Sequence, residues 1–293
     1  MANSIELAKK FVPIIDGVYK ADSVTNNMDA ATKPDFTGAN EVKVLKVSTT
    51  GLGDYSRENG YPKGDVTAAW ETLTLTEERG KEISVDRMDD EETLGLTFGT
   101  VTGEFMRLHV IPELDAYRFA KYASTTGVTT ATAAVLTKDT IIAAIDEAVR
   151  QMDEDEVPLA GRKLYINSDL KPILNTALQR QWGNDGTVNT VLAGYNDMPI
   201  TWVPKSRFYT GITLNDGTSN WGYTKATGAA DINFMIIYPP AILQVVKFSL
   251  PKIFDPDTNQ KKDAWMFQFR EYHDAFVYEN KAKGVYVHSK PAV

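Results

Sequence analysis

Residues 89–122 read DDEETLGLTFGTVTGEFMRLHVIPELDAYRFAKY. Apolar side chains fall at Leu94, Phe98, Val101, Phe105, Leu108 and Ile111, and again at Phe119 and Tyr122. The early intervals of three and four residues put them on one face of a helix. The acidic run Asp89-Asp90-Glu91-Glu92 stands at the start, where the helix dipole favours negative charge. The helical rise predicts an element roughly 45–50 Å long, more than a compact domain ordinarily needs. Pro112 lies inside it and is expected to bend it.

Upstream of this helix the pattern changes from a period of about 3.6 to one of about 2. Val42 and Val44 alternate with charged residues in 41–47, and a second extended run covers 66 to about 85, with Trp70, Leu73, Leu75, Ile83 and Val85. Both read as strands. Between them the chain is polar and glycine-rich, from Thr49 to Asp65, so the pair is expected to form a long hairpin with a wide tip. Neither strand shows a strong apolar face, and an isolated hairpin is marginally stable in water. The hairpin is therefore expected to lean on a partner. Farther upstream Asn3 and Glu6 form a capping box for a short helix with Ile5, Ala8, Phe11, Val12, Ile15 and Val18 on one side and Pro13 inside it. Residues 21–40 follow as an irregular arm rich in Asn, Asp, Thr, Pro and Gly.

Downstream, 123–131 reads as a Ser/Thr/Gly linker and 138–152 as a helix with Ile141, Ile142, Ile145 and Val149 on one side. Residues 163–166 read as a buried strand, Ser168 as the cap of a helix reaching about Arg180, and 198–203 and 232–237 as strands. Asn215-Asp216-Gly217 marks a turn between these two. Helix and strand alternate, so the middle of the chain is expected to be its own α/β unit. After Pro239-Pro240 come three strand-like runs, 243–254, 264–278 and 284–288.

The bulk composition bounds the function. The chain has 293 residues, 43% hydrophobic and 24% charged, enough for one large domain or two medium ones. It contains no cysteine, which excludes disulfides and thiolate metal sites. Residues 1–10 lack a basic-then-apolar export signal, and no run reaches the roughly 18 apolar residues of a spanning helix. No membrane association is expected. The 31 basic and 39 acidic side chains give a net charge of −8, without the basic excess of a protein built to grip nucleic acid.

The motifs that carry chemistry fail one by one. His109, His273 and His288 show no i, i+4 ligand spacing, so no metal or cofactor is expected. Gly51-Leu52-Gly53 lacks the third glycine and following helix of a dinucleotide fingerprint. Asp255-Pro256-Asp257-Thr258-Asn259 opens like a calcium loop, but Gln260 and Met266 stand where Gly and Glu are needed; it reads as a polar turn. Asp153-Glu154-Asp155-Glu156 reads as a solvated charge run marking a helix end. No catalytic constellation emerges, and the chain is expected not to be an enzyme.

Leading arm, long hairpin, spine helix, α/β unit and aromatic strands, in that order, resemble the major capsid proteins of tailed phages with the Hong Kong 97 fold. The sequence is similar to members from phages of Gram-positive hosts. The segments carrying the resemblance are Phe36-Thr37-Gly38-Ala39-Asn40, Gly51-Leu52-Gly53-Asp54-Tyr55, Trp70-Glu71-Thr72 and Met88-Asp89-Asp90-Glu91-Glu92-Thr93. Ile111-Pro112-Glu113-Leu114-Asp115-Ala116-Tyr117-Arg118-Phe119 and Met198-Pro199-Ile200 continue it. The resemblance implies an α+β fold with an N-terminal arm (1–40) and an extended hairpin loop (41–86). It implies a peripheral domain (87–126 and 246–293) around the spine helix, and an axial domain (127–245). It implies subunits that form pentamers and hexamers, closing an icosahedral shell around double-stranded DNA without sequence-specific binding.

Phe11 in the arm and Tyr55, Arg57, Glu58, Lys63 and Trp70 in the loop are the expected interface residues. Some relatives cross-link a loop lysine to a neighbour's asparagine, and Lys63 and Asn259 are the candidates here. Others carry a cleaved scaffolding segment; since the arm begins at Met1, a separate scaffolding protein is expected. A portal protein and a decoration protein are the other expected partners, with assembly in the host cytoplasm and residence in the virion. An encapsulin-like nanocompartment shell is the alternative on the same fold. An α/β enzyme with a site in the middle unit is the third reading, opposed by the missing constellation.

Overall fold

The computed structural model describes residues 23–28, 40–58, 60–92, 96–178, 181–182, 188–189 and 194–292. The predicted arm helix, with Phe11, lies outside them. A ribbon of β1 (Glu41–Thr49) and β2 (Val66–Thr74) precedes β3 (Glu77–Asp86). Next come α1 (Arg87–Glu92), α2 (Leu96–Phe105) and α3 (Ile111–Ser124), with a π-helical turn at Met106–Val110 between the last two. After β4 (Thr129–Thr130) follow α4 (Ile141–Glu154), β5 (Lys163–Asn167) and α5 (Lys171–Ala177). The short strands β6 (Gln181–Trp182), β7 (Val188–Asn189) and β8 (Gly194–Tyr195) lead to β9 (Met198–Val203). Then come β10 (Ile212–Leu214), β11 (Tyr223–Lys225), β12 (Ile232–Ile237), β13 (Ile242–Phe254), β14 (Ala264–Val277) and β15 (Val285–Ser289).

The spine helix runs without a break from Leu96 to Ser124, about 40 Å by the helical rise. Pro112 is accommodated by a change of helix type. The Ile111 N–H bonds to the carbonyl of Met106, five residues back. That wider turn stands directly before the proline, which has no N–H and whose ring crowds a regular α turn.

The six-stranded sheet, in the order β4-β15-β12-β5-β9-β8, is covered on both faces. Leu164, Ile166, Phe234, Ile236 and Tyr286 point to α4 and α5. Tyr165, Met235, Ile237, Val285 and Val287 point to Phe119 and Tyr122 of the spine. Strands buried on both faces read as continuous apolar runs, and β12, INFMII, is buried throughout. A second sheet, β13-β14-β3, packs Phe267 and Phe269 against Phe105 and Met106 in the first half of the spine.

Four expectations are corrected. The run 66–85 is two strands: β2 pairs with β1, whereas β3 pairs with β14. The break comes where buried Asp274 captures the backbone N–H of Thr76 at 3.0 Å and its hydroxyl at 3.1 Å. Residues 246–293 do not stay together: β15 lies between β4 and β12 in the six-stranded sheet, because its fully buried side chains need neighbours on both sides. The 123–131 linker contains β4, paired in parallel with β15. Asn167, and not Ser168, caps the turn after β5, its side chain accepting from the Asp169 N–H at 3.1 Å; the Ser168 hydroxyl donates to the Val203 carbonyl, and the helix ends at Ala177.

Candidate intersubunit surfaces

The ribbon is built from two strands whose alternation is weak taken singly. Its register pairs Leu45 with Trp70, Val47 with Ala68 and Thr49 with Val66. Residues opposite one another in an antiparallel pair share a face, so Leu45, Val47, Val66, Ala68 and Trp70 gather on one side. This is an apolar face that neither strand announces alone. It is open to solvent: Leu45 is 50% exposed, Val47 51%, Trp70 64% and Val66 70%. The opposite face turns inward at the root, where Val42 and Leu73 pack with Leu75, Leu243 and Val245. Lys46 reaches Glu279 at 2.7 Å, and beyond that point the described side chains of the ribbon are exposed.

The tip, 50–65, is closed by the Thr50 N–H to the Asp65 carbonyl and by a Ser56–Gly60 bridge. Gly60 takes a left-handed φ of 78°, where a side chain would be strained. Tyr55 packs edge-on against Tyr61 at 5.0 Å between ring centres. Tyr55, Arg57, Glu58 and Lys63 thus share the exposed tip, while Trp70 sits on the shaft. Asn259 belongs to another element, the turn between β13 and β14. Its amide donates to the Ala264 carbonyl at 2.8 Å, and its oxygen accepts from the Lys261 N–H at 3.1 Å. The 255–259 stretch is a polar turn, with Asp255 accepting from the Thr258 N–H at 2.7 Å.

Two buried carboxylates missed by sequence reading fix the parts that frame the ribbon. Asp115 of α3 is fully buried. It accepts from the Ser23 hydroxyl (2.8 Å), the Val24 N–H (3.1 Å), the Thr25 N–H (3.3 Å) and the Thr25 hydroxyl (2.6 Å). Arg207 adds a charge-assisted bond at 3.2 Å, and Arg118 donates to the Thr25 hydroxyl. Residues 23–25 are thereby pinned to the spine. Asp274 of β14 plays the same part at the ribbon root, holding Thr76 and accepting from the Tyr117 hydroxyl at 2.7 Å. Burial first, and then the Asp274 charge, push the Tyr117 phenol upward, so it stays a donor.

The acidic run at the end of α4 is not wholly solvated: Asp153 binds buried Arg162 at 2.6 Å. His288 is buried against Phe234 and contacts the Asn233 amide; burial lowers its proton affinity. Among the described residues no group of three His, Asp or Glu side chains is placed to hold a metal, and no helix is long and apolar enough to cross a membrane.

No protein-family model and no curated protein sequence matches the chain. Solved structures do. The capsid of the cyanophage P-SCSP1u superposes with a TM-score of 0.64 at 13% identity, covering 90% of this chain and 88% of that one. A structure from Gordonia phage Cozz gives 0.60 at 15% identity, over 93% and 87%. A virus-like particle from Pyrococcus furiosus gives 0.59 at 11% identity, over 97% and 99%. The chain therefore has the α+β Hong Kong 97-like capsid fold.

Proposed function

We propose that the chain is the major capsid protein of a tailed phage, assembling into pentamers and hexamers that close an icosahedral shell around double-stranded DNA. The observation that carries this is the solvent-exposed apolar face of the ribbon, on a fold whose solved neighbours include phage capsids. An exposed apolar face marks an interaction surface, and a repeated heterologous contact closes a ring. The proposed division is an arm (1–40), an extended loop (41–86), a peripheral domain around the spine (87–126 and from 246) and an axial domain (127–245), to which β15 is added because it pairs within the six-stranded sheet. Tyr55, Arg57, Glu58, Lys63 and Trp70 form the loop's interface, with Phe11 in the arm. Phages of Mycobacterium, Gordonia and Microbacterium among the structural neighbours support a Gram-positive host. A separate scaffolding protein, a portal protein and a decoration protein complete the set of partners. Assembly takes place in the host cytoplasm, and no catalytic activity is part of the role.

A nanocompartment shell is the second reading, favoured by the near-complete mutual coverage with the Pyrococcus furiosus particle. Expression of the chain with and without a candidate scaffold, viewed by negative-stain electron microscopy, tests both. Closed shells or capsomer rings support a shell protein; a monomer at high concentration with scaffold present refutes it. Shells that package nuclease-protected DNA in infected cells distinguish the phage head from the compartment. The Lys63–Asn259 cross-link is tested on purified shells boiled in detergent, where only monomer-sized bands rule it out.

A further inference from the structure

A cavity of about 130 Å³ lies where three parts of the fold meet: the inner face of β3 and β14, the spine helix, and the turn 215–222 between β10 and β11. Arg79 of β3 ties the three together. Its guanidinium binds Glu113 of the spine at 2.6 Å, the Asn215 carbonyl at 2.7 Å and the Gly222 carbonyl at 3.4 Å. The turn closes over the cavity because Gly217, at φ 80°, lets the Trp221 ring approach to a distance that a Cβ would violate. Lys81 rests on that ring, 4.5 Å from its centre.

Two groups lining this cavity have a buried atom without a hydrogen-bond partner, His273 at Nδ1 and Glu271 at a carboxyl oxygen, and the acid is the one that concerns the turn. Glu271 is 2% exposed, and its Oε1 has no hydrogen-bond partner. The sheet register sets Glu271 directly opposite Arg79, on the same face and with Cβ atoms roughly 5 Å apart. Glu113 of the spine holds the Arg79 guanidinium, while Glu271 projects from the opposing strand on the same face.

We propose that Glu271 is a proton switch: when it ionises it draws Arg79 from the carbonyls of Asn215 and Gly222 and loosens the 215–222 turn from the spine. Burial, and after it the opposing influences of Arg118 and Glu113, place its proton affinity at about 7, so the switch lies in the neutral range. The other charged or titratable groups around the cavity are accounted for element by element. On β3, Lys81 is held over Trp221 and Phe105. On the spine, Arg118 donates into the Asp115 network, and His109 lies beside Phe105. On β14, burial and then the Arg118 charge hold His273 neutral. On the turn, Asp216 is bound to Thr218. Arg79 alone is both opposite Glu271 and attached to the turn.

The chain has no cysteine, so Ser219→Cys gives a single thiol on the exposed turn for an environment-sensitive fluorophore. The labelled full-length chain is titrated from about pH 5.5 to 8.5. A transition with its midpoint near 7 is expected, lost in Glu271→Gln and in Arg79→Gln, and kept in His109→Gln. Glu113→Gln, which removes the competing charge, is expected to move the midpoint to lower pH, and it provides a second test should Arg79→Gln not fold. A flat wild-type titration overturns the proposal. So does a transition that survives Glu271→Gln or Arg79→Gln, one that disappears with His109→Gln, or a midpoint that Glu113→Gln leaves in place.

Discussion

Glu271 and His273 stand two residues apart on one strand, both buried, and burial moves them in opposite directions. Glu271 is raised from 4.5 to about 7 by desolvation, and His273 is lowered from 6.5 to about 4 by desolvation and then by Arg118. Between pH 4.5 and 7 the unfolded chain has released the Glu271 proton that the fold retains, so stability falls as pH rises. Between pH 4 and 6.5 the unfolded chain holds a His273 proton that the fold excludes, so stability rises with pH. The two slopes oppose each other where they overlap. Glu271→Gln should therefore exceed wild type by about 3 kcal/mol at pH 8, the difference vanishing near pH 4, as read from urea unfolding across that range. A gap that does not vary with pH would contradict the assignment. Asp115→Ala removes the acceptor for Arg207 and for four groups of residues 23–25. Removal of one partner from a buried charged network costs about 3–5 kcal/mol, so a large fall in thermal midpoint is expected. Neither carboxylate was legible in the sequence, because a buried Asp or Glu is spelled like an exposed one. Its partners lie about ninety residues away for Asp115 and nearly two hundred for the Asp274–Thr76 contact.

At the scale of elements, most strand and helix positions followed from periodicity and the β1–β2 hairpin from its glycine-rich tip, whereas its register and the pairing of the other strands did not. The ribbon was expected to lack an apolar face; register created one by setting Leu45 against Trp70 and Val47 against Ala68. Trp70→Glu combined with Val47→Lys changes exposed positions only. The unassembled chain should therefore keep its stability to within about 0.5 kcal/mol per site. Assembly should be lost, seen as subunits in sedimentation under conditions where wild type forms shells. Retained assembly would remove the ribbon's apolar face from the interface. The edge strand β13 is treated differently from the ribbon. A bulge at Val246/Phe248, Pro251 without an N–H, and Lys247 and Lys252 all discourage strand addition. The exposed side chains of Phe248 and Leu250 are therefore available for face contacts while the edge is guarded against aggregation.

At the scale of the molecule, segments near both ends of the described residues are built into its centre. Residues 23–25 are bound to the spine through Asp115, and β15 occupies an interior place in the six-stranded sheet. Ending the chain at Tyr278 removes Val285, Tyr286 and Val287 from both core layers and leaves β12 and β4 without their shared partner. Such a product is expected to be insoluble or unfolded by circular dichroism. A folded, soluble product would mean that the six-stranded sheet is stable without its neighbour strand. The spine helix connects the two sheets, the Asp115 anchor and the ribbon root, so its unusual length reflects the number of parts it joins.

The sequence by itself determined the long spine, the α/β centre, the aromatic strands that follow, and an expected Hong Kong 97-like architecture matched by the observed fold. The elements depend on periodicity and turn chemistry, which act over a few residues; the architecture was what the family resemblance implied. Beyond the β1–β2 hairpin, only the tertiary structure decided which strand lies beside which, that the run 66–85 divides at Thr76, and that β15 returns to the central sheet. It also decided that Glu271 faces Arg79 across a cavity. Those facts rest on pairings between residues far apart in the chain, where one step of register changes which side chains share a face. No local pattern carries that information.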